Sequence, residues 1–155
     1  MNKHKKTCND AAASIWMSHS VFCQIMSSIG ARLPESGGIL LGPIGSNHIT
    51  AFHFDGTASC SGVTYTPDHV TLSKLMDRAW LPAGVDMKGF VHSHPGNLDR
   101  LSDGDMSYIR RLLDSNADLN FFAAPIVIPN QFRLRPIVVM RNQPMIQRST
   151  RLRFF

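Results

Sequence analysis

The sequence predicts a single mixed α/β domain, a mixed β-sheet flanked by helices. Three observations point there. Short apolar runs bounded by Gly and Pro intermix with segments whose apolar residues recur at helical spacing. The strand candidate at 37–41 is joined to its successor by a connection of hairpin length. A chain of 155 residues with 43% hydrophobic content has room for one sizeable core, and it shows neither an internal repeat nor a low-complexity linker.

The elements follow in order. Residues 1–12 are basic and polar, then Ala-rich, and are expected to form a flexible N-terminal arm ahead of a domain spanning 13–155. Residues 14–17 read as a short strand. Ser18 or Ser20 is placed to cap a helix reaching Gly30, with Val21, Phe22, Ile25, Met26 and Ile29 on its buried face. Pro34 favours extended backbone before the strand at 37–41, and residues 42–47 form its turn. A second strand is expected over 48–55, with Ile49, Ala51 and His53 on one face and Thr50, Phe52 and Phe54 on the other. Residues 55–65 are small and polar and read as a loop. Thr66-Pro67-Asp68 has the order of an N-cap, a Pro at the first helical position and a first-turn acid. The helix after it carries Leu72, Leu75, Met76, Ala79 and Trp80 and stops at Pro82-Ala83-Gly84. A strand is expected over 88–94 and a helix from Ser102, with Met106, Ile109, Leu112 and Leu113 as its apolar stripe. Strands at 121–128 and 132–140 and an edge strand within 145–155 complete the sheet.

Composition narrows the function. No apolar run approaches the length of a membrane span, and polar residues from Asn9 to Ser20 break up any secretory signal. Cys8, Cys23 and Cys60 show no Cys-x-x-Cys spacing, the pattern of reduced thiols in a cytoplasmic protein. The net charge is +5, but the basic residues are spread along the chain and concentrated at its ends, without interleaved aromatics. That pattern fits attraction to an acidic protein partner better than a nucleic-acid platform. Neither nucleic acid nor membrane is expected as a partner.

Candidate chemistry is concentrated in residues 92–105, His-Ser-His-Pro-Gly-Asn-Leu-Asp-Arg-Leu-Ser-Asp-Gly-Asp. His92 and His94, two apart on a strand, project from one face. With Asp105 they make a ligand set suited to zinc with one position open. Asp99 and Asp103 compete with Asp105 for that role. Ser102 and Asp105 also have the spacing of a helix capping box, which accounts for both residues without any chemistry. The sequence has one Glu, Glu35, in Pro-Glu-Ser-Gly-Gly-Ile-Leu-Leu-Gly. A carboxylate that is not a ligand can act as general base and then general acid beside a metal. Gly37 and Gly38 allow close backbone approach there, or simply strand packing.

Together these residues resemble the motif of JAMM metalloproteases, the JAB/MPN-domain proteins with a complete metal site. That pattern is an upstream Glu, His-x-His-Pro, six residues, Ser, two residues and Asp. Here it runs Glu35, His92-Ser93-His94-Pro95, the six residues Gly96 to Leu101, Ser102 and Asp105. The Glu-Ser-Gly-Gly context is similar to that of stand-alone bacterial members, and the likeness spans roughly residues 14–140. The resemblance implies a JAB/MPN-like fold and one zinc ion held by His92, His94 and Asp105, with a water as fourth ligand. It implies Glu35 as the general acid/base, Ser102 as a hydrogen-bond donor to the tetrahedral oxyanion, and amide hydrolysis without an acyl-enzyme. It further implies a zinc isopeptidase or peptidase cutting after the C-terminal tail of a ubiquitin-like protein. Some bacterial relatives act this way from operons encoding ubiquitin-like conjugation enzymes, several of them linked to phage defence. Segments 55–65 and 116–124, the latter with Phe121 and Phe122, lie where the family places substrate-contacting insertions, and both read equally well as ordinary loop and core. The alternatives are a JAMM peptidase of sulfur-carrier or other peptide substrates, and a non-catalytic MPN-type scaffold.

Overall fold

The computed structural model describes residues 14–31, 35–61, 64–94, 96 and 98–155. The expectations for the 1–12 arm, Cys8, Pro34 and Pro95 lie outside those residues, as does the Cys60 side chain.

Strand β1 (Ile15–Met17) leads into helix α1 (His19–Ser28). Ser18 caps it from extended backbone, its Oγ accepting the Val21 N–H at 3.3 Å. Val21, Ile25 and Met26 form the buried face that their spacing predicts. Strand β2 (Gly37–Pro43) follows as expected. The next run divides at Thr50 into β3 (His48–Ile49) and β4 (Ala51–Phe54). β3 leaves the main sheet to pair with β1, which resets the alternation. Ile49 therefore packs with Phe52 and Phe54, and Ala51 packs on the opposite side, contrary to the faces read from the sequence.

Residues 55–65 are not simply a loop. They hold a hairpin of β5 (Ser59–Ser61) and β6 (Thr64–Thr66), paired Ser59↔Thr66 and Cys60↔Tyr65. Thr66 is thus a strand residue, and the N-cap of α2 (His69–Leu75) is Asp68. Its carboxylate accepts the Thr71 N–H at 3.1 Å and the Thr71 hydroxyl at 2.8 Å, a stronger cap than Thr66 offers. A π-turn at Met76–Trp80 and a 3-10 turn at Leu81–Ala83 end this helical stretch at Gly84.

The central strand is β7 (Val85–Ser93), followed by α3 (Asp103–Ser115). The two late strands expected from sequence each break at a proline, which has no N–H to give the ladder. Pro125 separates β8 (Phe121–Ala123) from β9 (Ile126–Ile128), and Pro136 separates β10 (Arg133–Arg135) from β11 (Ile137–Met140). Phe121 and Phe122 are strand residues, Phe122 fully buried, so this pair belongs to the core and not to an insertion. The expected edge strand is two, β12 (Gln143–Ser149) and β13 (Leu152–Phe154), the second parallel to β1.

β7 lies between antiparallel β2 and the parallel β8/β9 row. A parallel neighbour needs a crossover, and α3 supplies it. At Gly89 the two rows touch: a Cβ there would overlap the Ala123 backbone. Side chains alternate across the sheet into two cores. Leu40 and Val91 pack toward α1 and β1, whereas Ile39, Leu41 and Phe90 pack toward α3 with Ile109, Leu113 and Phe122. Each such full burial is worth roughly 1.5–3 kcal/mol. The result is a mixed sheet flanked by helices, as predicted. No helix among the described residues is long and apolar enough to cross a membrane.

Candidate metal centre

β7 carries His92 on the α3 side, next to Phe90, and His94 follows its last residue. α3 carries Asp105 in its first turn. The three meet. His92 Nε2 and His94 Nε2 are 2.7 Å apart, and Asp105 Oδ2 lies 3.4 Å from the first and 3.7 Å from the second. Tetrahedral zinc with bonds of about 2.0–2.1 Å places its ligand atoms roughly 3.3–3.4 Å from one another. The two edges to Asp105 lie near that spacing and the His92–His94 edge is shorter, so the imidazoles part by about 0.6 Å to admit an ion; among the described residues this is the one group of three His, Cys, Asp or Glu side chains gathered closely enough to hold a metal ion. Asp99 lies elsewhere, paired with Arg135 at 3.2 Å, and Asp103 is not in the group.

The two imidazoles are held differently. Both are buried, His92 at 1% and His94 at 3% exposure. His94 Nδ1 sits 3.1 Å from the Leu98 carbonyl, so an N–H there donates to it and, in the neutral ring, leaves the lone pair on Nε2. His92 stacks on Tyr65, with ring centroids 6.0 Å apart and planes 20° from parallel, and its Nδ1 is buried without a partner. Burial pulls the His94 imidazolium down, but the Asp105 hydrogen bond and the charges of Asp105 and Glu35 prevail and leave it above its ordinary value. Burial pushes the Asp105 carboxyl up, and the hydrogen bonds from His92 and His94 outweigh it and hold the group well below the usual carboxylate range.

Ser102 and Asp105 form the full capping box. Ser102 Oγ accepts the Asp105 N–H at 3.1 Å, and Asp105 Oδ2 accepts the Ser102 N–H and O–H, each at 2.8 Å. Capping α3 and facing the two imidazoles are therefore compatible roles for one carboxylate. The same Oδ2 that closes the cap faces the two imidazoles.

Glu35 is buried at 7% exposure. Burial raises its pKa above the ordinary value, while the nearby His92 and His94 oppose the shift. Its position depends on Ser93, which the sequence left without a role. Ser93 Oγ accepts the Ser36 N–H at 3.0 Å, and the Ser93 N–H donates to the Ser36 carbonyl at 2.9 Å. The histidine strand thus ties the Glu35 segment directly to itself. Tyr65 was likewise not foreseen. Its hydroxyl donates to buried Asp55 at 3.2 Å, and its ring fills the space over Gly37, where a Cβ would come within 2.7 Å. Gly37 is thus required by the Tyr65 ring.

A cavity of about 180 Å³ opens beside Ser102 and Asp105. Tyr65, Phe90 and Tyr108 give it an aromatic lining, with His69 and Arg111 among its polar groups. Burial, helped by Asp55 and opposed by Arg111, pushes the Tyr108 phenol up to about 12, so it stays neutral at ordinary pH.

No protein-family model matches the sequence, and no curated protein matches it. Solved structures do match the fold. One is protein DSY2949 from Desulfitobacterium hafniense, with a TM-score of 0.64 at 16% identity over 90% of this chain and 92% of that one. Another is AF2198, a JAB1/MPN domain protein from Archaeoglobus fulgidus, with a TM-score of 0.51 at 13% identity over 92% of this chain and 99% of that one. The chain has an MPN-like fold, with a His-His-Asp cluster able to hold a metal ion.

Proposed function

We propose that the chain is a zinc-dependent JAMM-type hydrolase that cleaves the amide or isopeptide bond after the C-terminal tail of a ubiquitin-like protein. The observation that carries this reading is the His92, His94 and Asp105 triangle with a buried, separate Glu35 beside it on an MPN-like fold. His92, His94 and Asp105 would hold the zinc, which when bound supplies a Lewis acid for the scissile carbonyl and makes water more acidic. Glu35 takes a proton from the attacking water. Its raised pKa suits a group that must both accept that proton and return it to the leaving amine. Ser102 lines the cavity, where its hydroxyl can turn from Asp105 toward the developing oxyanion. A tail substrate is supported by the β5–β6 hairpin bordering the aromatic cavity, since an extended peptide can pair with a strand edge.

Cleavage of a ubiquitin-like protein carrying a short C-terminal extension, followed by intact mass, tests this. Wild type is expected to release the extension at the tail. Glu35→Gln is expected to keep zinc and lose turnover by roughly 10²–10⁴-fold. Comparable turnover in that variant would remove Glu35 from the chemistry.

A further inference from the structure

Gln147, on edge strand β12, lies 46 positions beyond Leu101, yet its carboxamide grips the Leu101 backbone at two points. The Leu101 N–H donates to Gln147 Oε1 at 2.7 Å, and Gln147 Nε2 donates to the Leu101 carbonyl at 3.0 Å. The amide therefore acts like one rung of a β-ladder on a segment that is not a strand. The Leu101 side chain is also buried, at 3% exposure, in the α3-side core.

The gripped segment touches two of the three candidate ligands. Its first residue, Leu98, offers the carbonyl facing His94 Nδ1. Its last, Ser102, makes three hydrogen bonds with Asp105. Leu101 lies between them, adjacent to Ser102. A second tether holds the same segment, Asp99 to Arg135 at 3.2 Å, with Arg135 donating to Ser149 Oγ on β12. That ion pair is half exposed and weak. The Gln147 clamp is partly buried and satisfies both polar groups of one residue, so it defines the segment more firmly.

We infer that Gln147 is a positioning residue for the metal centre: it fixes Leu101, and through the Leu98–Ser102 segment it sets the aim of His94 and Asp105. This rests on the metal-site reading. Groups that orient metal ligands through hydrogen bonds commonly change affinity by about 10–100-fold when removed.

The test is zinc affinity by competition with a chromophoric chelator, together with the visible spectrum of the cobalt-substituted full chain. Gln147→Met keeps the length and removes both hydrogen bonds. It is expected to weaken zinc binding about 10–100-fold and to alter the cobalt bands. Gln147→Glu keeps the acceptor for the Leu101 N–H but sets a carboxylate against the Leu101 carbonyl; it is expected to give a loss of the same kind, and it carries the comparison should Gln147→Met not fold. Ile25→Ala removes packing from the α1-side core, the cluster that does not contain Leu101, and it serves as the stability control. It is expected to lower the Tm with zinc affinity within twofold of wild type. Gln147 variants that bind zinc as wild type does, with unchanged cobalt bands, overturn the clamp and leave the metal site standing. A loss no greater than that of Ile25→Ala overturns it equally. A wild type that binds neither metal overturns the metal site and the clamp with it.

Discussion

β7 buries basic side chains at two levels along its length, and their surroundings differ. Near its end, His92 and the following His94 bring their Nε2 atoms within 2.7 Å of each other and close to the Asp105 carboxylate. Nearer its start, Lys88 is 7% exposed, and its ammonium makes no hydrogen bond or ion pair with the described residues. Burial draws the Lys88 pKa down, while Asp86 acts weakly in the other direction. A cavity of about 320 Å³ adjoins it, lined also by Asn47, Asn120, Asp86 and Asp118. Desolvation is present in both places. Only the first has several lone pairs aimed at one point and outer groups that fix their direction, such as the Leu98 carbonyl behind His94. Buried charge by itself does not make a metal site; convergence does.

That comparison breaks most sharply at its strong end. His94→Ala removes one corner of the triangle and the contact with Leu98, and zinc is expected to be lost on dialysis while α3 stays folded, read by metal analysis and circular dichroism. Ser93→Ala should have a smaller effect. It strips the buried Ser36 N–H of its acceptor, at a cost of about 1–3 kcal/mol. Zinc affinity should change little and turnover should fall, because Ser93 holds the Glu35 segment and is not a ligand; a loss of zinc equal to that of His94→Ala would contradict this division. The mildest change lies at the other level. The folded pKa of Lys88 is below its unfolded one, so the charged form destabilises the fold at neutral pH, and stability rises as pH climbs from the folded value toward about 10.4. Lys88→Met should therefore raise the Tm slightly at pH 7, since solvent at the cavity relieves part of the burial, and remove part of that alkaline gain. A Tm lowered at every pH would show that the ammonium is stabilised where it sits.

The two levels were unequally legible in the sequence. The candidate ligands stand within fourteen positions, and strand alternation and helix capping are local rules, so His92, His94 and Asp105 are visible together. Glu35 was visible as the chain's one Glu. The residues that hold these groups in place were not. Ser93 to Ser36 spans 57 positions and Gln147 to Leu101 spans 46, and neither Ser nor Gln carries a pattern that announces a distant backbone partner. Tyr65 was hidden because the small polar residues before it read as loop, whereas cross-strand pairing makes them a hairpin. The faces of residues 49–51 were misread because β3 departs to β1 at Thr50, a tertiary choice that local alternation does not encode. The prolines at 125 and 136 stand in the sequence, and each cuts an expected strand in two because it has no N–H to give the ladder.

Asp105 is where the two explanations of this sequence meet, since its Oδ2 both closes the cap of α3 and faces the imidazoles. Asp105→Asn separates them, because an amide oxygen can still accept from the Ser102 N–H but is a poor zinc ligand. Zinc stoichiometry by native mass spectrometry, with helix content measured alongside, is the most direct measurement. One zinc per wild-type chain and none on a folded Asp105→Asn chain at the same metal concentration is the expected result. One zinc held equally by both, or by neither, would mean that Asp105 is a helix cap and that the site does not have the ligands assigned to it.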